Sequence, residues 1–251
     1  MKNRYFLKIS FNGSNYHGWQ YQPDSISVQQ VINEHISLML RETVTSVGCG
    51  RTDAGVHAKN YMLHFNTTKI LDTSFGWKLN NFLPKDIAIQ EVYFNPDKIH
   101  ARWDAGFRSY EYIISKNKDP FHINLVAYSF DKFDINLMKQ VCDILMEYDD
   151  FESFSKGHNS HQHYKCDLMH AFWVETDDAF IFSIKANRFV RSMVRMIVGT
   201  MVDVGRKKTS LEEFRNIIEA KDRSKAGRVM PAKGLYFTGA GFPMDKLIIV
   251  E

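Results

Sequence analysis

The sequence predicts an α+β protein: two ferredoxin-like or RRM-like α/β domains, their antiparallel sheets joined side by side around a central cleft. Three observations carry this. Residues 1–104 read strand, helix, strand, strand, helix, strand, the order of a split βαβ unit. From Phe107 a period-two alternation restarts, and strands and helices again succeed one another to the end. The length, 251 residues, exceeds one typical compact unit, and 44% hydrophobic residues suffice for two cores. The junction falls within His100-Ala101-Arg102-Trp103-Asp104-Ala105-Gly106. It separates an N-terminal domain, 1–104, from a C-terminal domain, 105–251.

The elements follow in order. Residues 5–11 alternate around Lys8 and read as the first strand, closed by the turn Asn12-Gly13-Ser14-Asn15. The next stretch, Tyr16-His17-Gly18-Trp19-Gln20-Tyr21-Gln22-Pro23, is aromatic and polar at once. It admits two readings, a hydrophobic plug or a platform for stacking bases. Ser27 reads as an N-cap and Gln30 as its capping-box partner, ahead of Val28, Val31, Ile32, Ile36 and Leu40 at helical spacing. The β-branched run 43–47 and the segment 61–67 read as strands. Asp72 or Thr73 opens a helix over Phe75, Trp77, Leu79 and Phe82 that Pro84 ends, and 87–94 is a further strand.

In the second domain Arg108, Tyr110, Tyr112 and Ile114 share one strand face. Asp134 caps a helix carrying Leu137, Val141, Ile144 and Leu145. Residues 168–176 and 180–186 form a hairpin through Asp177-Asp178. A helix spans about 188–204, a shorter one 211–220, and 235–238 is a late strand.

Composition narrows the class. Aromatic content of 14% argues against disorder. Three cysteines, Cys49, Cys142 and Cys166, form no disulfide framework and point to a reducing, cytoplasmic compartment. No long apolar segment is present, so neither a signal peptide nor a membrane span is expected. The formal net charge of +3 conceals an asymmetry. Residues 185–234 hold thirteen Lys/Arg against five acids, a net of +8, which leaves −5 for the remainder. Such polarity steers a polyanion to one side. Arg188, Arg191 and Arg195 are spaced three and four apart, so on one helix they share a face and need a phosphate or carboxylate partner where buried.

Two stretches carry chemistry. In Gly48-Cys49-Gly50-Arg51-Thr52-Asp53-Ala54-Gly55 a strand end meets glycines and opposite charges. Either it is a turn that caps itself through Asp53, or it is a loop presenting a carboxylate from a rigid strand. His158, His161, His163, Cys166 and His170 lie close in sequence, at a spacing that matches no zinc-finger or zincin pattern. No metal is expected there. A basic loop touching substrate and a solvent loop both fit.

Several segments, in order, resemble the bacterial tRNA pseudouridine synthase I family. They are Phe11 to Gln20, Gly50-Arg51-Thr52-Asp53-Ala54-Gly55-Val56-His57-Ala58, Asn80 to Ile87, Arg108-Ser109-Tyr110-Glu111-Tyr112, Phe189 to Gly199, and Ala232-Lys233-Gly234-Leu235-Tyr236. The resemblance implies isomerisation of uridine to pseudouridine at positions 38, 39 and 40 of the anticodon stem-loop of tRNA. It implies Asp53 as the essential aspartate, Tyr110 stacking on the target uracil, and Arg195 pairing with the aspartate. It also implies Arg51 on the RNA and Leu235 as an apolar pocket wall. Arg188 and Arg191 join them as substrate-binding cations. No metal or organic cofactor is implied, and the partners are tRNA and a second copy of the chain. The competing readings are a noncatalytic RNA-binding module, a synthase for another RNA site, and a metal-dependent hydrolase built on the histidines.

Overall fold

A computed structural model describes residues 2–157 and 163–250. His158 and His161 lie outside the described residues. Among these residues ten strands and five α-helices form, and every named strand pairing is antiparallel except one. The chain divides into two compact units: Met1–Gly106 with Phe237–Glu251, and Phe107–Tyr236.

Unit 1 runs β1 (Asn3–Phe11), α1 (Val28–Leu40), β2 (Val47–Gly48), β3 (His57–Thr67), α2 (Phe75–Phe82) and β4 (Ile87–Phe94). Strand β1 is central, with β3 on one side and β4 on the other, and β2 pairs with β3. This is the β-α-β-β-α-β order read from the sequence. The run Tyr5-Phe6-Leu7 is buried without alternation, because both faces of β1 are covered. On one of them Phe6 meets Phe242 of the chain's closing segment edge-on at 5.3 Å.

Helix α1 begins as expected: Ser27 Oγ accepts the Gln30 amide at 3.2 Å. The capping box does not close, since the Gln30 side chain donates instead to Glu34. Residues 43–46 form no strand, contrary to their β-branched composition. Their backbone is occupied by side chains of α1. Ser37 Oγ accepts the Val44 amide at 2.9 Å, Asn33 Oδ1 accepts the Ser46 amide at 2.9 Å, and Gln29 donates to the Ser46 carbonyl at 2.7 Å. A segment whose amides are taken by a helix has none left for a ladder.

Unit 2 runs β5 (Arg108–Ser115), β6 (Ala127–Tyr128), α3 (Ile135–Leu145), β7 (Leu168–Glu175), β8 (Ala179–Ala186), α4 (Met193–Gly205) and α5 (Leu211–Glu219), and it takes in the start of β9 (Leu235–Ala240). Strand β8 lies between β5 and β7, and β6 runs parallel to β5. Asp134 caps α3 through the Leu137 amide, and the β7/β8 hairpin turns where expected. Eleven residues of α4 are buried, so it is a core helix, apolar nearly all round. Its Met201 sulfur accepts the Trp173 indole N–H at 3.3 Å. The chain re-enters unit 1 at Phe237, and strand β10 (Ile248–Ile249) lies as an edge beside β4.

One buried group gives unit 1 a pH dependence. His64 on β3 accepts the Ala101 amide at Nδ1, 3.0 Å, and packs against His100 at 4.7 Å. Burial, aided by Arg4 and His100, pushes its pKa down to about 3. The unfolded chain takes up that proton near 6.5 and the folded chain does not, so stability falls as pH drops below 6.5 towards 3. Urea unfolding at pH 7 and pH 5 is expected to show a loss on the order of 1–2 kcal/mol from this group. His64→Asn, which keeps an acceptor for Ala101, is expected to flatten that slope.

Candidate active site

The glycine-rich loop of unit 1 is a backbone-closed turn that displays a carboxylate. The Val56 amide donates to the Asp53 carbonyl at 3.2 Å, and Gly55 between them has φ 79°, a left-handed value suited to glycine. The Gly55 amide donates to the Tyr16 carbonyl at 3.1 Å. The amides of Gly55 and Val56 thus both go to backbone carbonyls. Asp53 is half-buried and Arg51 exposed.

The aromatic stretch before α1 supports this loop from beneath. Trp19 and Tyr16 are buried, and the Trp19 ring lies 4.5 Å from Tyr61. The Trp19 amide donates to Thr52 Oγ1 at 3.0 Å. Tyr61 closes the strand end by donating to the Gly50 carbonyl. A Cβ on Gly48 would stand 2.0 Å from the Tyr61 hydroxyl and 2.5 Å from the Trp19 indole nitrogen. That glycine admits a packed indole, and Tyr16 and Trp19 form the plug of the two readings above. Tyr21 alone of the stretch's large aromatics is exposed.

In unit 2 Tyr110, Arg195 and Leu235 lie on β5, α4 and the start of β9. Tyr110 is buried on the face of β5 that also carries Tyr112 and Ile114, and its ring meets Phe189 edge-on at 5.1 Å. Arg195 stands in the first turn of α4 and donates Nε to the Met230 carbonyl at 2.7 Å. The Met230 amide donates back to the Arg195 carbonyl at 3.1 Å. One residue on, the Pro231 carbonyl accepts the Tyr112 hydroxyl at 2.8 Å. Burial raises the Tyr112 pKa, and nearby Arg195 and Arg228 oppose that rise. Leu235, buried, opens β9.

Helix α4 is shorter than its sequence pattern. It starts at Met193, and Ser192 before it is left-handed with φ 60°. Arg188 and Arg191 therefore precede the helix and do not share a helical face with Arg195. The reason is local: the Arg191 carbonyl accepts the Lys156 amide at 3.1 Å and the Val190 carbonyl accepts the Met193 amide at 3.2 Å, a turn ahead of the helix. Both arginines are exposed, and Arg188 lies near Cys166. The charge asymmetry is also tempered. Arg206, Lys207, Arg215 and Lys221 pair with Asp131, Asp134, Glu147 and Asp150. The four acids named lie outside the basic segment, and Arg206 also meets Asp203 within it, at 3.8 Å.

Of the histidine stretch, His163 Nδ1 accepts the Lys165 amide at 3.1 Å and His170 sits on β7 against Phe172. Burial pushes the Cys166 thiol up to about 11. Among the described residues no three metal-ligating side chains are grouped to hold an ion.

Comparison with known proteins fits these motifs. The tRNA pseudouridine synthase A of Parabacteroides distasonis is 43% identical over 250 residues, 99% of each chain. This chain belongs to the tRNA pseudouridine synthase family. The homologue from Azobacteroides pseudotrichonymphae is 43% identical over 242 residues, covering 96% of this chain and 97% of its own. That from Bacteroides thetaiotaomicron is 41% identical over 246 residues, covering 96% and 91%. A family model described as tRNA pseudouridine synthase matches residues 148–243, the stretch that holds Arg195 and Leu235.

Sequence reasoning did not single out Met230, Pro231 or Gly199 in this family's second unit. The contact is long-range, and its one local sign is a glycine inside a core helix. A Cβ on Gly199 would stand 1.9 Å from the Arg228 carbonyl oxygen. Gly199→Ala is expected to push segment 227–231 off α4 and cost about 1–3 kcal/mol in urea unfolding. Gly50→Ala, with nothing within 4 Å of the added carbon, is expected to change stability by less than about 0.5 kcal/mol.

Proposed function

We propose that the chain isomerises uridine to pseudouridine in tRNA, at positions 38, 39 and 40 of the anticodon stem-loop, with Asp53 as the catalytic carboxylate. The observation that carries this is 43% identity, along 99% of the chain, to a protein named tRNA pseudouridine synthase A. The reaction breaks the N1–C1′ bond, turns the uracil, joins C5 to C1′, gives up the C5 proton to solvent and takes one up at N1. Atoms are conserved and no electron is transferred, so the chemistry asks for no metal or organic cofactor. A carboxylate serves it either by bonding to the substrate or by taking a proton from C2′. Asp53 is suited to this because its turn is closed by backbone bonds, which fix the carboxylate's origin.

Arg195 is the proposed partner of that carboxylate. Its Nε bond to Met230 sets the plane of the guanidinium, and a planar guanidinium pairs with a carboxylate through two parallel bonds. It also sits in the first turn of a helix, where the dipole disfavours a cation and an anion relieves the cost. Tyr110, braced edge-on by Phe189, is the proposed stacking surface for the extruded uracil, and Leu235 the apolar wall. Arg51, Arg188 and Arg191 are the proposed backbone contacts, and all three are exposed. Extrusion costs a few kcal/mol of stacking, which such contacts offset.

The two units correspond in this reading to two α/β domains. We place the protein in the cytoplasm as a homodimer. Cys49, Cys142 and Cys166 are buried and form no disulfide, in keeping with a reducing compartment.

Mass-spectrometric mapping of tRNA after incubation with the protein is expected to show pseudouridine at 38, 39 and 40. Conversion at other uridines would refute the site assignment, and no conversion would refute the activity. Asp53→Asn is expected to abolish tritium release from tRNA labelled at uracil C5 while tRNA binding persists. Release at the wild-type rate would remove Asp53 from the chemistry. Tyr110→Phe keeps the ring; an unchanged rate would assign Tyr110 to stacking alone.

A further inference from the structure

The turn that carries Asp53 does not stand by itself. It rests on residues 12–19, and that stretch in turn is fastened to one carboxylate, Asp86, in the loop between α2 and β4. Asp86 makes three bonds to it. Its Oδ1 accepts the Tyr16 hydroxyl at 2.5 Å, its Oδ2 accepts the Asn15 side-chain amide at 3.0 Å, and its carbonyl accepts the Asn12 amide at 2.9 Å. From this stretch the connection passes to the turn at three points. The Tyr16 carbonyl accepts the Gly55 amide at 3.1 Å, the Trp19 amide donates to Thr52 Oγ1 at 3.0 Å, and the Gly13 amide donates to His57 Nδ1 at 3.0 Å.

We infer that Asp86, acting through Tyr16, is a positioning residue for the Asp53 carboxylate. Tyr16 is the link. It is 6% exposed, its hydroxyl is bound at one end by Asp86, and its carbonyl at the other holds Gly55, the residue with φ 79° in the Asp53 turn. A buried phenol oriented by a carboxylate is stiffer than one held by packing, because a charge-assisted bond is short and directional. Burial and Asp86 together raise the Tyr16 pKa, so the phenol keeps the proton that makes the bond. Releasing the phenol frees the Tyr16 backbone to shift, and the Gly55 amide shifts with it. Misplacement of a catalytic group by about 1 Å costs up to 10²-fold in rate, with substrate affinity unaffected where binding residues lie elsewhere. Asp86 touches neither substrate nor Asp53 in this scheme; its effect travels through the loop.

The inference rests on the reading of Asp53 as the catalytic carboxylate, and single-turnover kinetics separate the two. With enzyme saturating over C5-tritiated tRNA, well below the melting temperature, the rate constant reports positioning and the amplitude reports the folded, competent fraction. Asp86→Ala is expected to lower the rate constant roughly ten- to a hundred-fold at full amplitude, with the tRNA dissociation constant within about three-fold of wild type. Asp86→Asn, which still accepts the Tyr16 hydroxyl, is expected to recover most of the rate. Tyr16→Phe is expected to lower the rate in the same sense, and the Tyr16→Phe/Asp86→Ala double variant to be no slower than Asp86→Ala. A wild-type rate constant in Asp86→Ala, or a loss confined to amplitude or melting temperature, would overturn the inference. If Asp86→Ala does not fold, Tyr16→Phe decides, and a wild-type rate there overturns it equally. A wild-type protein that forms no pseudouridine would instead overturn the parent reading, and this inference with it.

Discussion

The reciprocal bond between Arg195 and Met230 is the contact on which the packing of segment 227–235 against α4 depends. An arginine in the first turn of a buried helix is an awkward choice, because the helix dipole and the apolar surroundings both oppose its charge. The cost is met by geometry: Nε is spent on a carbonyl, and the arginine's own carbonyl receives the amide of the same residue. Tyr112 adds a bond to Pro231. Strand β5, helix α4 and the segment that leads into β9 are thereby registered to one another within a residue or two. Tyr110 is two positions from Tyr112 on the same strand face, and Leu235 is four residues past Pro231, so both inherit that registration.

Unit 1 reaches its rigidity by another route. There the turn at Asp53 is closed by main-chain bonds, and its glycines have packing and backbone tasks. Gly48 makes room for Trp19 and Gly55 supplies the left-handed residue of the turn. Side chains near Asp53 are therefore constrained by packing laid down in β1, α1 and β3, well before any substrate is considered.

Much of this was legible in the sequence. Caps at Ser27 and Asp134, the β7/β8 hairpin and the buried face of β5 follow local rules, and they appear where periodicity puts them. The candidate residues were reached through motifs, since neither spacing nor charge alone distinguishes Asp53 from a turn residue. What local rules could not show was competition for backbone groups over distance. Residues 43–46 have strand composition, yet Ser37 and Asn33 of α1 take their amides. Arg188 and Arg191 have helical spacing to Arg195, yet a left-handed Ser192 starts the helix after them. The basic segment reads as strongly polarised in one dimension, while acids from 131–150 neutralise part of it in three.

The division of the chain has a consequence for how it comes to be folded. Unit 1 is discontinuous: residues 107–236 intervene between Gly106 and Phe237. Unit 2 is contiguous and can complete itself during synthesis, while unit 1 needs residues made after the whole of unit 2. Until Phe242 arrives, one face of β1 at Phe6 lacks its cover, and until Ile248 and Ile249 arrive β4 is an open edge. Closing so long an interruption is thermodynamically mild, since each doubling of loop length adds only about 0.6 kcal/mol. Its kinetic weight is greater, because Phe6 and the β4 edge stay uncovered while unit 2 is being made.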